Sequence, residues 1–405
     1  MSLFSANTKT PRRRPVLARS TAFRPSRPRQ EGWQPLKLDS TLAFISLAFV
    51  LIGLLFTYSA SAFETSAYVK RQVVFDLVGI GAALFLSQTF TRILQFKIFR
   101  PMNLMYLTWV LLIIVLFTRT QAHTHRWIDL GFIKLPPSEI AKVTLVIYLA
   151  DYLEKTAGKL AKNWQLLIPP MGVGGITLFL ILLEKDLGTP LLMGGVFFCM
   201  LFVAGARLLH LGVPVLVAGL GGVIALLAEP YRRARVLSFL HMGGSAEETI
   251  SYQVRQSFMA VGSGGWLGKG LGNSELKMQY LPAAHTDFIF SVMCEEAGLF
   301  VLIVVFGFAW LLYRGIALAR IAKTTFNSLV IFGLTLTICS QAFFNMAMAI
   351  GLLPTKGIAL PFFSYGGSSV VMTLVMMGIV LNVVAVDHTQ NNLRSDVTHY
   401  KNRNK

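Results

Sequence analysis

The stretch TLAFISLAFVLIGLLFTYSASA, residues 41–62, decides the fold class. It runs for twenty-two positions without a charged side chain. At a rise of about 1.5 Å per residue, a helix of that length covers the ~30 Å of hydrocarbon in a bilayer. Upstream, residues 1–40 form a basic tail, and its first 36 positions are rich in Pro, Arg and Ser with no helical period. Such a segment reads as disordered. Arg12-Arg13-Arg14 has no short apolar run directly behind it, so residues 41–62 are expected to be an uncleaved first membrane helix.

Working outward, the same pattern recurs at 72–91, 103–119, 137–154, 164–183, 188–206, 209–228, 286–312, 327–350 and 364–387. With the first stretch, that makes ten candidate spans. Hydrophobic residues make up 54% of the 405 positions and charged residues only 14%. A soluble core does not hide so much apolar surface, so the excess faces lipid. The fold expected is an all-α polytopic membrane protein of about ten transmembrane helices.

The formal net charge is +18, from 37 Lys and Arg against 19 Asp and Glu. A surplus of this size suggests nucleic acid until its placement is considered. Nine of the basic residues lie in the first 40 positions, and most others lie in short loops between apolar runs. That distribution orients a chain in a bilayer and excludes one continuous basic face. With the N-terminus inside, inner segments hold 23 basic residues and outer segments 13, with the two tails carrying the asymmetry. Both termini, including a C-terminal tail at 388–405, are therefore expected in the cytoplasm. Cys199, Cys294 and Cys339 fall within or beside apolar runs without metal-ligand spacing, so no disulfide framework follows.

One connection, 229–285, is far longer than the rest and lies between the seventh and eighth spans, on the outer face in this topology. Loops of that length in a compact bundle are usually functional or disordered. This one is rich in Gly and carries Tyr252, Trp266 and Tyr280, which argues for a folded element hugging the membrane. Its Gly-rich part, 262–272, reads either as flexible loop or as backbone that lets a phosphate-bearing ligand approach closely. It lacks the Gly-Lys-Ser/Thr of a nucleotide loop, so a nucleotide site is not expected. Arg232, Arg233, Arg235, Arg255, Lys269 and Lys277 decorate the same loop, suited to lipid headgroups or to the charge of a pyrophosphate-linked lipid.

His285-Thr286-Asp287 sits where that loop becomes the eighth span, with Thr286 placed to cap the helix and Asp287 in its first turn. Two readings stay open: a carboxylate that completes a helix start, or one at the membrane surface that takes a proton. The Ser- and Gly-rich start of the tenth span, with Ser364 and Ser368, offers either ordinary caps or free N–H groups for an anion. Lys356 is the only charge in the turn before it. Glu139 and Lys142, three apart, are expected to pair on one helix face. Asp186 is a second candidate carboxylate, with turn and cap chemistry as its plain explanation. Glu295-Glu296 and Gly298 close the motif-rich region. His123 and His125 read as surface residues, not metal ligands.

These residues also carry a family resemblance. Tyr58-Ser59-Ala60-Ser61, Arg126-Trp127-Ile128, Pro137-Ser138-Glu139, Asp186-Leu187-Gly188-Thr189, His285-Thr286-Asp287-Phe288-Ile289-Phe290 and Ser364-Tyr365-Gly366-Gly367-Ser368 occur in this order among the spans. In that order and spacing they resemble the SEDS (shape, elongation, division, sporulation) family of peptidoglycan glycosyltransferases, from about residue 40 to 387. Gly272-Asn273-Ser274, Tyr280-Leu281-Pro282 and Leu353-Pro354-Thr355-Lys356-Gly357 look like its division branch, the FtsW-like members, with the elongation-type RodA branch nearest. The chain departs from the family pattern at Ala283, where a Glu is usual, and at Lys185, where a Pro is usual. Cys294 replaces a Gly, and a Gly is missing from Leu299-Phe300-Val301.

The resemblance implies polymerisation of lipid II at the outer face of the bacterial inner membrane, at the division septum. It implies a class B penicillin-binding protein transpeptidase as partner, alongside other division membrane proteins. In that reading Asp287 is the catalytic base. Lys269, Lys277, Lys356, Arg232, Arg233, His285, Ser364 and Ser368 contact substrate, and Asp186, Glu139 and Glu295 are supporting acids. No cofactor is assigned, although a divalent cation (Mg or Mn) would suit a departing pyrophosphate. The other function classes weighed are a lipid II flippase and a non-catalytic scaffold that recruits the transpeptidase.

Overall fold

The computed structural model describes residues 36–61, 66–118, 127–129, 134–228, 248–274, 286–354 and 357–403. Local chemistry sets where the first helices begin. Asp39 accepts hydrogen bonds from the backbone N–H groups of Thr41 and Leu42 at 3.1 and 3.0 Å and so caps α1, Ser40–Ser61. After α2, Ser66–Ile93, Pro101 opens α3, Pro101–Leu116, and Pro137 opens α4, Pro137–Lys155. Pro fits the first helical turn because the N–H it lacks has no partner there. Between α3 and α4 a two-stranded antiparallel hairpin pairs β1, Ile128–Asp129, with β2, Lys134–Leu135.

The chain continues through α5, Ile168–Leu183, α6, Gly188–Val203, and α7, Leu208–Ala228. The amphipathic α8, Glu248–Ser263, follows. Next come α9, Ile289–Ala297, α10, Leu302–Ile321, α11, Thr325–Ala349, and α12, Gly367–Arg403. A helix therefore stands in each of the ten stretches expected to span. Seven of these, counting α9 and α10 as one run, are long and apolar enough to cross a membrane. α3 and α6 are shorter apolar helices. α4 carries Glu139, Lys142, Asp151, Glu154 and Lys155, yet thirteen of its nineteen residues are buried, so it faces protein rather than lipid.

Two boundaries differ from expectation, and the long loop holds a folded element as expected. The eighth span is broken: α9 ends at Gly298, whose φ of 57° suits Gly, and a 3-10 turn at Gly298–Val301 leads into α10. The long 229–285 connection contains α8 in its described part. The segment 388–405, expected as a tail, continues α12 to Arg403, there being no Gly or Pro after Gly378 to stop the helix.

α11 is the hub and packs against α4, α6, α10 and α12. The most extensive pairing joins α2 to α12 through small residues. A Cβ on Gly378 would lie 2.5 Å from the Ala83 carbonyl oxygen, so the two backbones touch only because Gly stands there. Asn382 then grips one step of the α2 ladder, accepting from Thr91 N at 3.1 Å and donating to Ser87 O at 2.8 Å. α7 is the outlier, touching chiefly α6 and exposing nearly all of its apolar surface.

Candidate functional site

A non-helical segment, 358–364, lies buried inside the bundle. Irregular backbone at membrane depth requires its polar groups to be met by protein. Here two helices and the segment itself meet them. Asn345 Nδ2 donates to Ile358 O at 2.7 Å, and Gln341 Nε2 donates to Ala359 O at 2.9 Å, both from α11. Thr57 of α1 donates its hydroxyl to Phe363 O at 3.0 Å. Ser364 Oγ accepts from Leu360 N at 2.6 Å, closing the segment on itself. Phe362 and Phe363 fill the centre against Phe49 and Phe308. Phe362 holds a φ of 69°, a strained value for a bulky residue, and its carbonyl fits against α1 only because Gly53 has no Cβ.

Asp287 lies directly against this segment. It stands in a turn, 286–288, immediately before α9, and is partly exposed. The expected helix start is thereby corrected: Phe288 occupies the N-cap position, no side chain caps the helix, and Asp287 precedes the first turn. The turn is held through its main chain. Asn345 Nδ2 donates to Asp287 O at 2.8 Å, and Ser364 Oγ donates to Thr286 O at 2.6 Å. Asn345 is fully buried and its own Oδ1 has no partner, a cost of about 1–3 kcal/mol. Turning the amide over would set that oxygen against two carbonyl oxygens, so the orientation is fixed.

The Gly-rich stretch has a structural role in the described residues. It straps the end of α9. Lys269 N donates to Glu295 O at 2.9 Å and Gly270 N to Glu296 O at 3.0 Å, supplying partners that the broken helix lacks. A Cβ on Gly264 would lie 1.9 Å from Cys294 O, and one on Gly268 2.1 Å from Glu296 O. The glycines thus permit close approach to protein backbone. Two buried carboxylates fasten the strap. Glu295 receives Lys269 Nζ at 2.9 Å and Ser274 Oγ at 2.5 Å. Glu296 receives Ser59 Oγ at 2.6 Å, and Ser59 in turn accepts from Gly272 N at 3.1 Å. Lys269, one of the residues expected to contact substrate, pairs with Glu295 in this structure.

Glu139 and Lys142 pair as expected, at 2.8 Å, and Lys142 Nζ also donates to Gln341 Oε1 at 2.6 Å. Asp186 follows its plain reading, accepting from Gly188 N at 2.9 Å and from the Thr189 hydroxyl at 2.7 Å at the start of α6. Lys185 beside it has a φ of 64°, a value closed to Pro. Ser368 donates its hydroxyl to Lys134 O of the hairpin, joining α12 to β2. Arg255 is exposed on α8. Lys277, Lys356, Arg232, Arg233, Arg235, His285, His123 and His125 lie outside the described residues. Among the described residues no three His, Cys, Asp or Glu side chains gather as a metal site, so no ligand to a divalent cation is assigned.

Residues 39–389 match the FtsW/RodA/SpoVE family of cell cycle proteins. The chain belongs to this family. Among curated members, the "Probable peptidoglycan glycosyltransferase FtsW" of Halomonas elongata is 37% identical over 362 residues, 85% of this chain and 90% of that one. Its namesake in Geobacter metallireducens is 37% identical over 358 residues, 86% and 94% of the two chains. The fold agrees with solved structures. A chain from "Structural coordination of polymerization and crosslinking by a peptidoglycan synthase complex" superposes with a TM-score of 0.73 at 29% identity, covering 86% of this chain and 98% of that one. The rod shape determining protein RodA of Thermus thermophilus gives 0.65 at 27% identity, covering 87% and 98%.

Against this family background, the residues that sequence reasoning passed over are Gln341, Asn345 and Thr57. A signal for the first two was present. Polar amides four apart inside an apolar run share one helix face, and polar groups in membrane helices mark packing or function.

Proposed function

We propose that this chain is a peptidoglycan glycosyltransferase that polymerises lipid II at the outer face of the inner membrane during cell division. About ten spans cross the bilayer in this reading, with α9 and α10 forming one of them, and both termini are cytoplasmic. The observation that carries the reading is the placement of Asp287. It is a partly exposed carboxylate whose main chain is fixed at the junction of α9, α11 and the buried segment 358–364. Family membership supplies the substrate class, because the curated relatives carry the glycosyltransferase name.

In the mechanism proposed, Asp287 removes the proton from the 4-hydroxyl of the acceptor N-acetylglucosamine. That oxygen attacks the anomeric carbon of the donor N-acetylmuramic acid. The bond to undecaprenyl pyrophosphate breaks, the pyrophosphate carries off the electron pair, and the configuration inverts to β. Proton removal of this kind contributes about 10²–10⁴-fold. Negative charge develops on the leaving pyrophosphate, and Lys277, Lys356, Arg232 and Arg233 are the cations proposed to meet it. The partner proposed is a class B penicillin-binding protein, which crosslinks the product. A solved relative from a complex that coordinates polymerization and crosslinking supports this pairing.

The test is lipid II polymerisation by the purified chain with its partner, whose transpeptidase is blocked by a β-lactam. Asp287→Asn is expected to abolish polymer while lipid II binding and the complex persist. Polymer formation by that variant removes Asp287 from its role.

A further inference from the structure

We propose that Gln341 and Asn345 are positioning residues for the transfer reaction, holding the turn that carries Asp287 by way of the buried segment 358–364. The inference rests on Asp287 being the base. The two amides lie one helical turn apart on α11, so they point the same way. They take the carbonyls of consecutive residues, Ile358 and Ala359, and Asn345 spends its second N–H on Asp287 O. Ser364 grips the preceding carbonyl, that of Thr286, from the other side. Both peptide units flanking the Asp287 Cα are thus tied to buried groups.

The chain of contacts reaches further. Gln341 Oε1 accepts from the Lys142 ammonium, which Glu139 holds, and this fixes which end of the Gln341 amide faces Ala359. A carboxylate, an ammonium and two amides therefore form one continuous support from α4 to the turn. Its purpose is geometric: a base displaced by about 1 Å loses on the order of 10²-fold in rate even when substrate still binds.

The experiment uses the full chain with its β-lactam-blocked partner and measures kcat, KM for lipid II and the pH profile. Asn345→Ala is expected to lose about 10²-fold in kcat with KM within about twofold of wild type. The acid limb of its kcat/KM profile should move, because the surroundings of Asp287 change. Gln341→Met should do the same more weakly, and Asn345→Ser, which keeps a donor, should recover part of the loss. A role confined to stability predicts something else: a lower Tm, with kcat per folded enzyme near wild type and an unmoved acid limb. That result overturns the proposal. If Asn345→Ala does not fold, Gln341→Met and Asn345→Ser decide by the same criteria. Asp287→Asn is run alongside. Activity in that variant sinks the base assignment and this inference with it, whereas an inactive Asp287→Asn beside a fully active Asn345→Ala sinks the positioning role alone.

Discussion

Lys269 offers a sharp test of whether the Gly-rich strap serves substrate or structure. Its ammonium lies 2.9 Å from Glu295, whose side chain is fully buried. Lys269→Met strips the cation from a buried carboxylate that keeps Ser274. Breaking a buried pair from one side costs about 3–5 kcal/mol. The lower figure suits a lysine that is 28% exposed and so partly solvated. With an unfolding entropy of about 2.1 cal/mol/K per residue over 405 residues, a loss near 3 kcal/mol lowers the Tm by roughly 3–4 °C. Adding Glu295→Gln removes the stranded charge and lets the amide still accept from Ser274. The double variant Lys269→Met/Glu295→Gln should therefore regain most of the lost stability, and polymerisation with it. Thermal unfolding of the purified protein and lipid II polymerisation read the two effects separately. Were the double variant to recover its Tm but make no polymer, Lys269 would act on the substrate and the structural reading would be refuted.

Two further predictions follow the same logic. Gly53→Ala places a Cβ 2.3 Å from Phe362 O and 3.0 Å from Phe363 Cα, so it should displace the buried segment, cost about 1–3 kcal/mol by overpacking and reduce polymerisation; a wild-type Tm and rate would show that the segment yields freely. Asp39, just ahead of α1, gives a pH test. Burial alone would raise its pKa, but the Leu42 and Thr41 N–H groups and the Arg314 guanidinium at 2.9 Å bring it below the usual 3.8. A carboxyl with a depressed folded pKa stabilises the protein above its unfolded pKa and loses that contribution as pH falls through the folded value. Asp39→Asn should consequently show a lower Tm than wild type at pH 6, with the difference shrinking as the pH drops below about 3.8.

The membrane helices were legible because apolar runs bounded by Pro, Gly and charges leave a long-range pattern. The start of α4 at Pro137 and the end of α5 at Leu183 matched expectation. The break at Gly298 was not legible, since Glu295-Glu296-Ala297-Gly298 is compatible with one continuous helix until the strap residues take its carbonyls. The site divides in the same way. The Glu139–Lys142 pair could be picked out from local chemistry, whereas Asp287 and Ser364 stood out as candidates with two readings each. Asn345 and Gln341 stand out locally only as two amides on one apolar helix face, and the carbonyls they hold lie thirteen or more positions away. The Lys269–Glu295 pair was not legible because its members are 26 residues apart.

The α2–α12 pairing has a consequence for how the protein is made. Thr91 and Asn382, which meet in the finished bundle, are 291 residues apart. At about 5–20 residues per second, a ribosome needs roughly 15–60 s to translate that interval. For all of it α2 sits in the bilayer without the helix that covers Gly79, on the same face as Gln72 and Asp76. The nascent chain is thus a client for whatever in the membrane shelters polar helix faces, and its assembly closes from the last helix back onto the second.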